Sequence, residues 1–361
     1  MTFVALAGAV VLISVVFTGV IRRIALRYAI VDAPIGGRKL HTQPTPLLGG
    51  LAIYAACTVS IVLYYLLSPD SWIAITDAHV HGKHLFGILL GGGILVLGGM
   101  LDDIYSLRPR YQILAPIFAA IVVISFGIGV DVITNPFGGV IRLDQWNILL
   151  FWWNDLPRFV TVWADLITFM WLMGMMYTTK LLDGLDGLVS GITVIGAVII
   201  SLVSIVFFVN MPTAVLSLII AGAFAGFLIM NFHPAKIFLG EAGSTLAGYM
   251  LGVIAIISGA KFATLLLILG IPILDVAWVL ARRVIVEKRS PFVGDRKHLH
   301  FRLLDAGFSH RSAVLALYFF SASFGIAGLF LQSAEKLMAL GVVVALMVVC
   351  GFLLYRRQQS A

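Results

Sequence analysis

Five carboxylates interrupt an otherwise apolar chain, and their spacing suits cation and phosphate chemistry. Asp102 and Asp103 adjoin in GMLDDIYSL, Asp183 and Asp186 lie three apart in KLLDGLDGL, and Glu241 sits in NFHPAKIFLGEAGS. Two neighbouring anions repel unless a cation sits between them, and oxygen ligands in such a place suit Mg2+, with Mn2+ as a substitute. On a helical turn Asp183 and Asp186 would share a face, while Gly184 and Gly187 leave the backbone free to approach a ligand. For any single acid, contact with a helix dipole or with solvent is the alternative. His298 and His300 stand two apart in GDRKHLHFRLLDAGF, a spacing for a loop or extended segment rather than one helical face. Two histidines without a nearby cysteine fit zinc poorly. Contact with phosphate or a nucleotide fits better, with plain surface histidines as the alternative. Lys39 and His41 in GRKLHTQPTPLLGG complete the polar set.

The elements that must position these residues are membrane spans. Of 361 residues, 61% are hydrophobic and 11% charged, against roughly a quarter charged in soluble domains. Apolar runs recur throughout, and about 20 such residues cross a hydrocarbon core. The fold class expected is all-α and polytopic, with about eleven spans. These are placed near 1–21, 46–67, 84–101, 111–130, 159–181, 187–209, 213–231, 244–259, 262–281, 312–332 and 337–355. Arg22 and Arg23 follow the first run in place of a small-residue cleavage site, so it is expected to remain as a span. Cys57 and Cys350 fall inside apolar runs, which argues for buried small hydrophobes and against a disulfide framework. One transmembrane domain over 1–361 is expected. Its motif loops lie near 22–45, 102–110, 180–187, 232–244 and 282–312.

Loop charge sets the sidedness. The net charge is +7, and alternate loops divide the 24 basic residues into 19 and 5, the five being Lys83, Arg142, Arg158, Lys261 and Lys336. Basic loops stay in the cytoplasm, so the N-terminus is expected outside and the C-terminus inside an inner membrane. That distribution explains the charge without a nucleic-acid partner. Trp146, Trp152 and Trp153 in the outer stretch 131–158 suit an interfacial belt. Every acidic and histidine motif falls on the cytoplasmic side of this assignment. Carboxylates at a membrane interface are costly unless paired, hydrated or metal-bound, so their clustering predicts a functional site. Asp275, in IPILDVAWVLARR, is expected to pair with Arg282 or Arg283 or to line that site, and Asp165 to act similarly toward the outer face. The glycines Gly91 to Gly93, Gly98 and Gly99 read as helix packing.

In this order, LLGGLAIY, GMLDDIYSL, LLDGLDGL, AKIFLGEAGS and DRKHLHFRLLDAGF resemble the polyprenyl-phosphate N-acetylhexosamine-1-phosphate transferases. These form the MraY/WecA/TagO group, glycosyltransferase family 4. The likeness runs from about Asp32 to about Phe308, and the histidine stretch followed by LLDAGF is similar to the WecA/TagO branch. The resemblance implies transfer of a sugar-1-phosphate from a UDP-sugar to a polyprenyl phosphate such as undecaprenyl phosphate, with release of UMP, to initiate a cell-envelope glycan. It implies Mg2+ as cofactor and membrane lipids around the site, and it leaves a homodimer open. By the same resemblance Asp102 is the candidate base, with an electrostatic role as the alternative. Asp103 and Glu241 would hold the metal, and Asp183 and Asp186 the uridine diphosphate. Arg296, His298 and His300 would contact the sugar or its phosphates, and Lys39 the lipid phosphate.

The chain departs from that family at Glu241, where Asp is usual, and at Lys180 and Tyr177, where Asn is usual. Arg110 and Pro116 also replace Lys and Gln. Lys180 is expected either to sit among Asp183, Asp186 and the donor diphosphate or to snorkel at the end of its span. Two rival readings are a UbiA-like magnesium-dependent prenyltransferase and a non-enzymatic transporter. The former needs DDxxD, whereas Ser106 stands four residues after Asp102. The latter predicts acids at the bilayer midplane or in repeated broken helices.

Overall fold

A computed structural model describes residues 3–34, 43–67, 82–135, 138–153, 156–207, 210–259, 262–288 and 298–359. Lys39, His41 and Arg296 lie outside them. The chain begins with α1 (Phe3–Arg27), α2 (Gly49–Leu67) and α3 (Gly82–Tyr105), followed by a short α4 (Pro109–Gln112) and α5 (Leu114–Ser125). Next come α6 (Val162–Leu182), α7 (Leu188–Val206), α8 (Met211–Asn231) and α9 (Gly240–Ile257). The last part holds α10 (Phe262–Ile268), α11 (Gly270–Ala281), α12 (Leu299–Asp305), α13 (His310–Phe330) and α14 (Ser333–Gln359). Helical residues occupy each of the eleven expected stretches. Among the described residues, α1, α2, α3, α7, α8, α9 and α13 are long and apolar enough to cross a membrane. An eighth follows if α10 and the helix after it form one span, bent by 77°. The molecule is a multi-pass membrane protein.

Local signals set several helix starts. Asn210 accepts a hydrogen bond from the Thr213 amide at the head of α8, and Ser309 does the same for Ser312 at α13; each supplies a partner for an amide the helix itself leaves unpaired. Asp165, expected to act toward the outer face, accepts from the Thr161 amide at 2.9 Å and caps α6.

At the centre stands α9, in which almost every residue is buried. It packs against α2, α3, α6, α7 and α8. Its sequence, GEAGSTLAGYMLGVIAII, is rich in Gly and Ala, which lets helix backbones approach closely where hydrocarbon offers no hydrophobic drive between spans. A Cβ on Gly248 would overlap the Met175 carbonyl of α6. On one flank α1 packs against α2 and α8, and on the other α13 packs against α7.

The stretch before α6 differs from expectation. Val132–Thr134 (β3) pairs antiparallel with Val140–Arg142 (β4), and Asn147–Trp153 (β5) with Leu156–Thr161 (β6). A span beginning at 159 is therefore corrected to a strand that hands over to α6 at Val162. The apolar run of β6 merges with that of the helix, and its β-branched and aromatic residues suit a strand. A shorter pair, Val31–Asp32 (β1) with Thr45–Pro46 (β2), lies between α1 and α2.

Candidate active site

At one end of the bundle, where α1, α3, α6 and α8 finish and α7, α9 and α13 begin, a cavity of about 1150 Å³ opens. All five motif carboxylates, Lys180 and His310 line it. Residues from five separate segments thus converge on the cavity.

The loop between α8 and α9 forms one wall, and it is well anchored. Asn231 accepts from the Ser190 hydroxyl at 2.8 Å and donates to the Ile237 carbonyl at 3.0 Å. The segment entering α2 binds the same loop, with Gly49 and Gly50 amides donating to the Phe238 and Leu239 carbonyls at 3.1 and 3.0 Å. Gly240 follows with φ +73°. Its left-handed backbone and missing Cβ let Asp103 approach, since a Cβ there would lie 2.5 Å from Asp103 Oδ2.

The acids are held in different ways. Asp102 is 8% exposed; its Oδ1 accepts from the Leu107 amide at 2.7 Å and from Gln112 Nε2 at 3.1 Å. Asp103 Oδ1 accepts from the Glu241 amide at 2.9 Å, whereas Oδ2 is buried with no hydrogen-bond partner. Glu241 itself pairs with Lys180 at 3.0 Å. Residues 183–187 are a run of turns between α6 and α7 rather than a helical turn, so the expected shared helical face for Asp183 and Asp186 is corrected. Asp186 Oδ2 faces His233 Nδ1 at 2.7 Å and accepts from the Ala235 amide at 3.1 Å. Asp183 has no side-chain partner among the described residues. Surrounding protein, then Glu241, Asp103 and Asp186, push its carboxyl up to about 8; its surface stays open to the cavity, which moderates the effect of burial.

Lys180 lines the same cavity as Asp183 and Asp186 but makes its bonds elsewhere. Besides Glu241 it reaches Gln112 Oε1 at 3.0 Å, and its ammonium lies 5.8 Å from the centre of the Tyr177 ring. Tyr177, Lys180 and Glu241, noted separately as departures from the family, form one connected group. The longer Glu241 side chain meets a cation, which answers how its extra methylene is accommodated.

His298 and His300 do not line the cavity. They are 4% and 1% exposed and lie behind its wall with rings nearly parallel, 5.6 Å apart. His298 stands at the N-cap position of α12 without a side-chain capping bond, and His300 packs against Gly184 and Phe301. Burial, with the neighbouring His298 and His310, pushes the His300 imidazole down to about 3. Asp275 pairs with neither Arg282 nor Arg283. Its carboxylate takes His298 Nδ1 and the Leu299 amide, each at 2.8 Å.

Gln112, His233 and His310 escaped the sequence reading. His233 lies within the Glu241 motif, two residues after Asn231, so its neighbourhood was visible; Gln112 and His310 carry no such signal. Asp186, His233 and His310 bring ligand atoms within 4.8 Å of one another. The two imidazoles are stacked at 3.9 Å and 13°, and parallel rings cannot both present in-plane lone pairs to one ion. The set is a hydrogen-bonded stack. Oxygen donors for a hard cation are found instead at Asp103 and Asp183.

Comparison with known proteins agrees with this arrangement. Residues 85–259 match the profile of Glycosyl transferase family 4. A probable undecaprenyl-phosphate N-acetylglucosaminyl 1-phosphate transferase of Bacillus subtilis is 31% identical over 342 residues, covering 92% of this chain and 86% of its own. Decaprenyl-phosphate N-acetylglucosaminephosphotransferase of Mycolicibacterium smegmatis is 32% identical, covering 92% of this chain and 83% of its own. The undecaprenyl-phosphate alpha-N-acetylglucosaminyl 1-phosphate transferase of Escherichia coli K12 is 26% identical, with coverage of 82% and 75%. These matches exclude the prenyltransferase and transporter readings, and the chain belongs to Glycosyl transferase family 4.

Proposed function

We propose that the protein transfers N-acetylglucosamine 1-phosphate, or a related N-acetylhexosamine 1-phosphate, from a UDP-sugar to a polyprenyl phosphate and releases UMP. The observation that carries this reading is the cavity at the helix ends, where a lipid phosphate from the bilayer and a nucleotide from water can meet beside unpaired acids. We infer from the excess of basic residues in the loops on this side that the cavity opens to the cytoplasmic face of an inner membrane, with the N-terminus on the other side.

The buried, partnerless Asp103 Oδ2 and the open Asp183 carboxylate fit Mg2+, and these two residues would hold it. Bound there, the ion supplies positive charge to the diphosphate and the transferring phosphoryl group. In the transfer, an oxygen of the lipid phosphate bonds to the sugar-bearing phosphorus, and the bond from that phosphorus to the UMP oxygen breaks. An acceptor phosphate is largely ionised at neutral pH, so no strong base is required. Asp102 accordingly holds the loop through Leu107 and Gln112 and adds charge at the site. Asp186, fixed by His233 and the Ala235 amide, orients the donor side. His298 and His300 support the wall from behind, and Lys39 and Arg296, outside the described residues, are assigned to the lipid phosphate and the sugar by the family resemblance alone.

Purified protein supplied with UDP-GlcNAc, undecaprenyl phosphate and Mg2+ should release UMP in proportion to lipid-linked product. A panel of UDP-N-acetylhexosamines that yields no UMP in the presence of the lipid would refute the assignment.

A further inference from the structure

Among the five motif carboxylates, and within the described residues, Glu241 is the one paired with a lysine. Lys180 Nζ lies 3.0 Å from Glu241 Oε2 and 3.0 Å from Gln112 Oε1. Gln112 in turn donates to Asp102 Oδ1 at 3.1 Å, and the Tyr177 ring backs the ammonium. The lysine is therefore held from three directions and is only 17% exposed. An ion pair in such a partly enclosed place is screened far less than one at the surface.

We infer that Lys180 is a resident counter-ion that withdraws Glu241 from the divalent-cation site, leaving Asp103 and Asp183 as the protein carboxylates that face the metal. This rests on the transferase reading for the metal's presence, and it goes beyond it by assigning which carboxylates are available. Two consequences follow from charge. The metal site has one fewer free anion than the five carboxylates suggest. The lysine also leaves a fixed positive charge beside the metal, which lowers the affinity of the empty site for a divalent cation. When an anionic diphosphate enters, the same charge becomes favourable, so the metal is gained mainly together with the donor.

The test is Mn2+ binding by electron paramagnetic resonance to the purified protein in detergent, without sugar donor or lipid. Lys180→Gln frees Glu241 and removes the positive charge, and should tighten Mn2+ binding about tenfold or more. Lys180→Gln combined with Glu241→Gln restores the charge balance and should return affinity to within about threefold of the parent. Lys180→Asn serves as a second single variant should the Gln variant fail to fold, each being checked by its thermal melt and elution profile. Weaker or unchanged Mn2+ binding in the folded single variants would overturn the inference. So would loss of Mn2+ binding in the folded double variant, because Glu241 would then be a ligand despite Lys180. Asp103→Asn separates this from failure of the site as a whole, since it should weaken Mn2+ binding whatever Lys180 does. UMP release, measured independently, tests the transferase reading alone.

Discussion

Two buried carboxylates, Asp103 on the floor of the cavity and Asp275 behind its wall, are met in opposite ways. Behind the wall, the Asp275 carboxylate is met by His298 and the Leu299 amide, and the whole group is closed off from the cavity. On the floor, Asp103 Oδ2 is buried with nothing to meet it. An unmade hydrogen bond at a buried oxygen is costly and persists where a ligand completes it. The Asp275 contact is built for stability and the Asp103 oxygen for binding, while His300 behind the wall keeps both ring nitrogens buried without a hydrogen-bond partner.

The largest effect should come from the floor. Asp103→Asn should lower turnover by about a thousandfold, roughly 4 kcal/mol of transition-state stabilisation, with no loss of thermal stability because no partner depends on Oδ2. A folded Asn variant with near-parental UMP release would erase the distinction between the two regions.

The wall should respond in stability. Asp275→Ala leaves two buried donors, at His298 and Leu299, without their acceptor, and should cost about 2–4 kcal/mol. Differential scanning in detergent reads this as a lowered melting temperature, and an unchanged melt would show that the pair carries no load.

A smaller effect sharpens the same contrast through pH. The His300 imidazole is pushed down to about 3 when folded, below its ordinary value near 6.5. The folded state therefore resists protonation, and its contribution is present above pH 6.5 and lost as pH falls toward 3. Each unit in that window costs up to about 1.4 kcal/mol. His300→Phe should flatten the acid limb of a stability-versus-pH curve between those values. An acid limb identical to the parent's would remove His300 from the account.

How much of this could be read beforehand depended on the kind of interaction. The acids were legible because carboxylates in apolar sequence are costly and because basic loops alternate. Their partners were not. Gln112 is an ordinary amide in a short helix, yet it links Asp102 to Lys180; nothing in its own neighbourhood signals that. Tyr177, Lys180 and Glu241 were each visible as oddities, but their contact joins the end of α6 to the start of α9, a relation that only packing creates. His298 and His300 stood out by type and spacing and were expected at the ligand. Burial placed them behind the wall instead, because Gly184 leaves space for an imidazole there. The end of β6 at 159–161 was hidden since an apolar strand and the first turns of a span have the same composition.

The packing of α1 bears on how the protein is made. Its Ser14 hydroxyl donates to the Ala223 carbonyl of α8 at 2.5 Å, and Arg22 donates to the Lys236 carbonyl at 3.0 Å. The helix α1 therefore finds its main neighbour only after the residues up to Asn231 have been synthesised. Until then its polar positions face lipid or temporary partners, and the α2 entry segment lacks the Phe238 and Leu239 carbonyls that receive it. Contacts of such long sequence separation form late and slowly. The acid floor, assembled across the same junction, comes into existence only once the middle of the chain has inserted, so a nascent chain carries the charges of the site well before it carries the site.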